Sequence, residues 1–389
     1  MAKLYEHFDL AVVGAGGAGL AAAVAAARCG LKVALLEKEP SLGGGYVQSG
    51  MTAFRTALAG EYLPGLKSLC REKGEFMLMD PQRFQEHGYR LVKENGIYFM
   101  PSAWVHEVVM ENGDIRGLSC VTREGELELE ADLYLDATGD GDLAAMSFVP
   151  FTSGREEDGL CLPPYFCFRL ADTAEDFSLF ALDEEKDCVR GLRFFPARDG
   201  VTVKMIFSGV ASALSAVDRS QVDLALHLAV EPVARELRGI AGLEKSRVAS
   251  IASRVIFPEG RHPMGNTIMD SRDLCTPTDY EDGILGPIFA PIELPGMEFM
   301  EDVPITAPYT FPYRALLPIR VGNLLLSGRC VSATHRAFGS LSAFHMTLAT
   351  GAAAGMAAAL AKENGVRLIH VDTGKLKKRM DQYGCISQS

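Results

Sequence analysis

The hydrophobic pattern opens with a short apolar run, Phe8 to Val13 (FDLAVV). A run of that length followed by turn residues reads as a buried strand. Glycines 14, 16, 17 and 19 come next, and Leu20 to Arg28 is then an alanine-rich helical stretch closed by Cys29-Gly30. Glycine serves there as the C-cap. Lys32 to Leu36 is a second buried strand, ending on Glu37. Strand, helix and strand make one βαβ unit, whose crossover is right-handed.

Beyond this unit the period changes. Residues 40–100 read as loop and helix, with Pro81 to Asn95 as an amphipathic helix stopped at Gly96. Runs at 103–110, 115–121 and 126–130 alternate apolar and polar positions, with Asn112-Gly113 and Glu124-Gly125 between them. Such turn dipeptides predict a small antiparallel meander. Asp132 to Asp136 is another buried strand and runs into Ala137-Thr138-Gly139-Asp140.

From about 151 the character shifts. Residues 171–190 hold seven acids and two bases, a solvated, linker-like stretch. Residues 192–208 predict a hairpin around Arg198-Asp199-Gly200, Gln221 to Gly239 a helix kinked before Pro232, and 250–257 a strand. Residues 277–318 carry eight of the nineteen prolines. Proline fixes φ and cannot donate to a ladder, so this is a stiff, irregular region suited to lining a pocket. Asn323 to Ser327 is a last strand, followed by a Gly-Arg-Cys turn and a small-residue helix, Ser340 to Ala361.

These elements give an α/β fold. A Rossmann-like dinucleotide-binding domain, a parallel sheet with an antiparallel meander, is expected from residues 1–150 and 320–389. A mixed α+β substrate domain at 151–319 interrupts it.

Composition narrows the classes. With 389 residues, 48% apolar and 23% charged, the chain is neither disordered nor fibrous. A net charge of −12 argues against nucleic acid as a partner. Nine cysteines, with no CxxC pair, point to reduced thiols and a cytoplasmic location. Eight histidines without HxH or HxxxH spacing suggest no metal site. The charged start, Met1 to Asp9, does not read as a signal peptide. Leu10 to Ala27 and Leu341 to Ala361 are long enough to test as membrane spans, but Gly and Ala dominate both, so no span is expected.

The chemistry begins at Gly14-Ala15-Gly16-Gly17-Ala18-Gly19, a G-x-G-x-x-G between strand and helix. Gly14 permits the tight turn, Gly16 the approach of a pyrophosphate, and Gly19 close helix packing. Glu37 lies 21 residues after Gly16, placed to accept ribose hydroxyls. The Gly43-Gly44-Gly45 run follows, the meander stands in place of a crossover helix, and a strand ends in Ala-Thr-Gly-Asp. In these features the chain resembles FAD-binding proteins of the glutathione-reductase-like superfamily.

More specifically, it resembles the FAD-dependent oxidoreductase family in which DATGDGDLAA (Asp136 to Ala145) is followed by PYRALLP (Pro312 to Pro318) and GRCVSATH (Gly328 to His335). The resemblance implies non-covalent FAD over a substrate domain, and a distant relation to fumarate reductase flavoproteins. It implies that Gly14, Gly16, Gly19, Glu37, Lys38, Gly43, Gly44, Val105, Ala137, Thr138, Gly139 and Asp140 line the ADP end. Gly328, Arg329, Ser340 and Leu341 would approach the ribityl chain and ring. The chain departs where similar proteins carry an Arg-Glu-Ser/Thr-Arg-Arg run: Ile251-Ala252-Ser253-Arg254-Val255 keeps one arginine.

Candidates near the ring follow Gly328. His335 is suited to acid–base work and Arg336 to holding a substrate carboxylate; each also suits a structural role. Cys330 and His345 read as packing residues. Arg254, Arg261, His262, Tyr313 and Arg314 are candidates for substrate contact from the insert. No second G-x-G-x-x-G follows a strand, so no dedicated NAD(P)H domain is expected, and Gly351 to Gly355 (GAAAG) reads as close packing inside a helix. The function expected is hydride transfer between a small organic substrate and flavin N5, with a separate electron donor or acceptor. A flavin monooxygenase or halogenase, and a non-catalytic electron-relay subunit, are the alternatives.

Overall fold

The chain starts with strand β1 (Phe8–Val13), helix α1 (Gly17–Arg28) and strand β2 (Val33–Leu36). Helix α2 (Pro81–Glu94) follows, capped by Asp80, whose side chain accepts the Gln82 and Arg83 N–H groups. Strand β3 (Tyr98–Met100) leads into a meander of β4 (Trp104–Glu111), β5 (Asp114–Thr122) and β6 (Gly125–Leu129). The Asn112-Gly113 turn has positive φ at both residues, as a tight hairpin requires. Strand β7 (Ala131–Asp136) closes this half of the chain.

The inserted segment forms its own antiparallel sheet. Its strands are β8 (Tyr165–Ala171), β9 (Val189–Ala197), β10 (Gly200–Phe207) and, after helix α3 (Ala216–Leu237), β11 (Arg247–Ile251). The chain returns through β12 (Leu324–Leu326), α4 (His335–Leu341) and the long α5 (Phe344–Asn364). The computed structural model describes residues 2–3, 7–55, 60–174, 181–182, 186–276, 278–294, 305 and 307–383. The acidic stretch at 175–180 and 183–185, and the proline-rich stretch at 295–304, lie outside them.

Strands β12, β7, β1, β2 and β3 form one parallel sheet in that order. Both faces are covered, which is why β1 reads as a continuous apolar run. Leu10 and Val12 pack toward α1 and α5. Ala11 and Val13 pack toward the meander, against Val105, Ile115 and Leu118. Helices α1 and α5 lie against each other through their small residues. A Cβ on Gly351 would stand 2.1 Å from the Ala18 carbonyl oxygen, and one on Gly355 2.2 Å from that of Ala22. Helix α5 is long and apolar enough to cross a membrane, yet here it is the buried centre of the core.

The insert has a separate core. Val222, Leu226 and Val230 of α3 pack on Phe166, Phe168, Val203 and Met205. Among the described residues, the hydrophobic side chains of the proline-rich region do not join it. Ile284, Leu285, Tyr309, Phe311 and Tyr313 pack with Leu10 and α5.

Several elements differ from the pattern. A small antiparallel sheet of Ala53–Arg55, Arg71–Lys73 and Phe76–Leu78 sits inside the stretch read as loop and helix; its strands are too short to show a period. Helix α3 begins at Ala216, capped by Ser215, and contains Pro232. The strand expected over 250–257 ends at Ile251, after which Ile256 alone bridges to Tyr165. The helix expected from Ser340 is two helices, α4 and α5.

Candidate active site

Residues of both sheets line a cavity of about 570 Å³. That lies within the roughly 300–1,000 Å³ usual for cofactor and small-molecule sites. One end is built from backbone. Gly14 has φ +100°, and a Cβ there would meet the Ala137 carbonyl oxygen at 2.4 Å. A Cβ on Gly19 would lie 1.8 Å from the Gly14 carbonyl oxygen. These two glycines hold the start of α1 against the end of β7. Gly16 differs: a Cβ there would meet only the Gly44 Cα, at 3.7 Å, and the residue lines the cavity. Gly16 is also the N-cap of α1, with no capping side chain and no acid in the first turn. The helix therefore presents open N–H groups and its positive end to the cavity, a fit for a pyrophosphate.

Glu37 stands beside that turn. Its carboxylate accepts the Ala15 N–H at 2.7 Å and the Glu39 N–H at 2.9 Å. Burial raises its pKa in spite of these bonds. Each carboxylate oxygen keeps a lone pair for ribose hydroxyls. On the other side of the cavity end, Asp136 is fully buried and pins the Ala137–Asp140 turn. It accepts from Thr138 N at 3.0 Å, Thr138 Oγ1 at 2.7 Å and Ala144 N at 2.8 Å. Cys330 does more than pack: its sulfur accepts the Gly139 N–H at 3.2 Å. Burial holds that thiol well above its ordinary pKa, so it stays protonated. Arg329 lies over Gly139 and donates to the carbonyls of Phe257, at 2.8 Å, and Pro258. It ties the inserted chain to the cofactor turn.

Most of the residues expected at the cofactor face this space. Gly14, Gly16, Glu37, Lys38, Gly44, Val105, Ala137, Thr138, Gly139, Asp140, Gly328 and Arg329 all line it. Gly19 and Gly43 stand just behind the lining. Ser340 and Leu341 do not reach it. Helix α4 turns both into the core, where Ser340 Oγ donates to the Ala290 carbonyl at 2.6 Å. Gly339 and the junction residues Ser342 to His345 take their place.

The ring-side expectation for His335 and Arg336 is not met. Thr334 caps α4, so the chain coils at His335 instead of running extended past the cavity. The His335 Nδ1 lies 2.8 Å from Glu259 Oε1, and His262 Nε2 lies 2.7 Å from the same oxygen. Arg336 is exposed, and neither residue lines the cavity. Glu259 is buried, and its other oxygen accepts the Leu162 N–H at 2.6 Å. Burial pushes this carboxyl up, but the bonds from both histidines outweigh it and bring the pKa down to about 2. The three side chains are a structural bridge between the insert and α4.

The expected substrate contacts also divide. Arg254 lines the cavity, paired with Glu39. Arg261 donates to the Asp140 carbonyl at 3.0 Å and to Asp142 at 2.8 Å, bracing the turn from outside. His262 belongs to the Glu259 bridge. Arg314 pairs with Asp282 at 3.1 Å away from the cavity, and Tyr313 donates to the Leu368 carbonyl in the core.

Sequence reasoning missed the cavity wall. Tyr46 stacks on Phe344 at 4.4 Å, and Phe54 meets Phe344 edge-on at 5.0 Å. Tyr165, Lys204, Arg219 and Phe257 line it from the insert. One signal was available: Lys204 breaks the apolar run of β10, VTVKMIF. His345, read as core, lines the cavity, and burial lowers its pKa to about 4, leaving a neutral imidazole at pH 7.

A parallel sheet, an uncapped glycine turn at its carboxyl edge and a buried acid beyond the second strand define a dinucleotide-binding flavoprotein. The family model described as FAD dependent oxidoreductase matches residues 9–380, and the chain belongs to that family. FAD is its cofactor. A geranylgeranyl bacteriochlorophyll reductase-like protein from Thermoplasma acidophilum shares the fold over 97% of this chain and 84% of its own, with a TM-score of 0.52 and 15% identity. The flavin-dependent brominase Bmp2 does so over 97% and 84%, with a TM-score of 0.55 and 11% identity. Thiamine thiazole synthase from Fervidobacterium nodosum is 31% identical over 115 residues, 29% of this chain. That match spans 42% of the synthase, less than half its length.

Proposed function

We propose that the protein moves a hydride between a small organic substrate and N5 of its FAD. The observation that carries this reading is the continuity of the cavity. It runs from the open N–H groups of α1 to an aromatic wall of Tyr46, Phe54, Phe344 and Tyr165. Bound flavin supplies the redox step, and the protein supplies position, electrostatics and proton handling. In this reading residues 1–150 with 320–389 serve as the cofactor half and 151–319 supply the substrate half, although Ile284 to Tyr313 pack with the cofactor half.

We give the acid–base role to His345 in place of His335, because His345 lines the cavity and His335 does not. A neutral imidazole on the cavity wall accepts the proton that leaves a substrate hydroxyl or amine as hydride departs. The FAD-loaded protein, mixed anaerobically with hydroxy acids, amines and sugars, is expected to bleach at the flavin band with at least one class, or, once reduced with dithionite, to regain the band with an enoate. His345→Ala then slows bleaching about 10²-fold, whereas His335→Ala leaves it near the parental rate. Oxygen consumption coupled to a hydroxylated or halogenated product, with no anaerobic bleaching by any organic substrate, overturns the reading.

A further inference from the structure

Six cationic side chains line the cavity, and four are already balanced. Lys38 lies 3.4 Å from Asp142, Arg55 pairs with Glu75 and Glu293, and Arg254 pairs with Glu39. Arg329 is spent on two carbonyls and lies 3.7 Å from Asp140. The remaining two are Lys204 and Arg219. Among the described residues neither has a carboxylate within ion-pair distance.

Both rest instead on aromatic rings of one wall. The Lys204 ammonium is 3.9 Å from the centroid of Tyr165, and the Arg219 guanidinium is 4.9 Å from that of Phe257. Tyr165 and Ile256 exchange backbone hydrogen bonds at 2.9 Å, so the rings of Tyr165 and Phe257 are carried on paired segments. Both cations line the cavity, and the cation nearest in influence to Lys204 is Arg193 of the neighbouring strand. Arg219 spends one N–H on the Ala213 carbonyl at 3.0 Å. A ring face attracts a cation but accepts none of its N–H groups in a normal hydrogen bond. Glu293 favours the Lys204 charge from farther off but is committed to Arg55. Burial works against that charge and lowers the Lys204 pKa. A desolvated cation without a counter-ion is costly, and a bound anion removes the cost.

We propose that Lys204 forms the anion subsite of this cavity, and that the substrate carries a carboxylate. This inference rests on the hydride-transfer reading and names the substrate class for it. The carboxylate meets the insert wall, leaving the rest of the molecule toward the cofactor half. Lys204 is suited to a point contact on that group, and Arg219 adds positive charge elsewhere on the cavity lining.

The test is equilibrium binding to the oxidised FAD-loaded protein, read by the shift of the flavin absorption band and by calorimetry. The probes are acetate, benzoate and succinate, each against its amide. At least one carboxylate is expected to bind saturably and tenfold or more tighter than its amide. Lys204→Met is expected to weaken that carboxylate tenfold or more and leave the amide unchanged, with Lys204→Arg restoring part of the loss. Because no ion pair is broken, unliganded Lys204→Met melts at or above the parental temperature. Should Lys204→Met lose FAD, Lys204→Gln carries the same binding comparison. Carboxylates that bind no better than amides, or binding indifferent to both variants, overturn the proposal. Binding needs no turnover, so the two readings fail separately. Tight carboxylates with no substrate able to bleach the flavin defeat hydride transfer alone. Bleaching by neutral substrates only defeats the anion subsite alone.

Discussion

At the scale of single residues, Glu37 shows how one side chain braces a turn while facing the cavity. It fixes the Ala15 and Glu39 N–H groups and lines the cavity with the acceptor capacity left over. Glu37→Ala is expected to weaken FAD binding by about 1–3 kcal/mol, measured by titrating the apoprotein with FAD. Glu37 was legible because its role follows from distance along the chain after a glycine turn. His335 was misread because its role depends on a helix starting at the residue itself. Thr334-His335 carries a cap signal, and the cap decides that the imidazole points to Glu259 and not to the ring. His345 and Lys204 carry the opposite lesson. An apolar neighbourhood in sequence looks like core whether its far side meets protein or a cavity.

At the scale of elements, two contacts set the geometry of the site. The first is α1 against α5. The GAAAG stretch was read correctly as close packing, because glycine four residues from glycine leaves a groove in a helix. Gly351→Ala forces a methyl group onto the Ala18 carbonyl. It is expected to cost about 1–3 kcal/mol or more of stability, seen as a lower urea midpoint. The second contact is the His262–Glu259–His335 bridge. Glu259 has a folded pKa of about 2 against an ordinary 4.5. A depressed carboxyl adds stability above its unfolded pKa and loses it as pH falls through the folded one. The bridge thus contributes roughly 2–4 kcal/mol at neutral pH by linkage. Urea unfolding of the parent and Glu259→Gln is expected to show a gap at pH 6 that closes between about pH 4.5 and 2.

At the scale of the whole molecule, polar ties around the cavity fasten the sheet of the insert to the cofactor half. Arg329 is one of them, joining Phe257 and Pro258 to the Gly139-Asp140 turn. Arg329→Ala is expected to weaken FAD binding by about 1.5–3 kcal/mol, the scale of hydrogen bonds to a charged group. Hydrogen exchange should rise across 255–262 while β8 to β10 stay protected. The parallel sheet, the meander and the hairpin of the insert were all legible, since each is set by local period and turn chemistry. The cavity wall was not. It joins residues from 46 to 344, and no local pattern records which strand face of an insert will look back at the scaffold.

The glycine groove has a further consequence for how the protein is made. Ala18 and Gly351 touch, yet they stand more than 300 residues apart in the chain. Strand β12, which pairs with β7, also arrives late. Contacts so distant in sequence form slowly. During synthesis the nucleotide turn emerges hundreds of residues ahead of the helix that steadies it. Until α5 docks, the alanine face of α1 is bare apolar surface, the kind of surface chaperones bind while a chain is still folding.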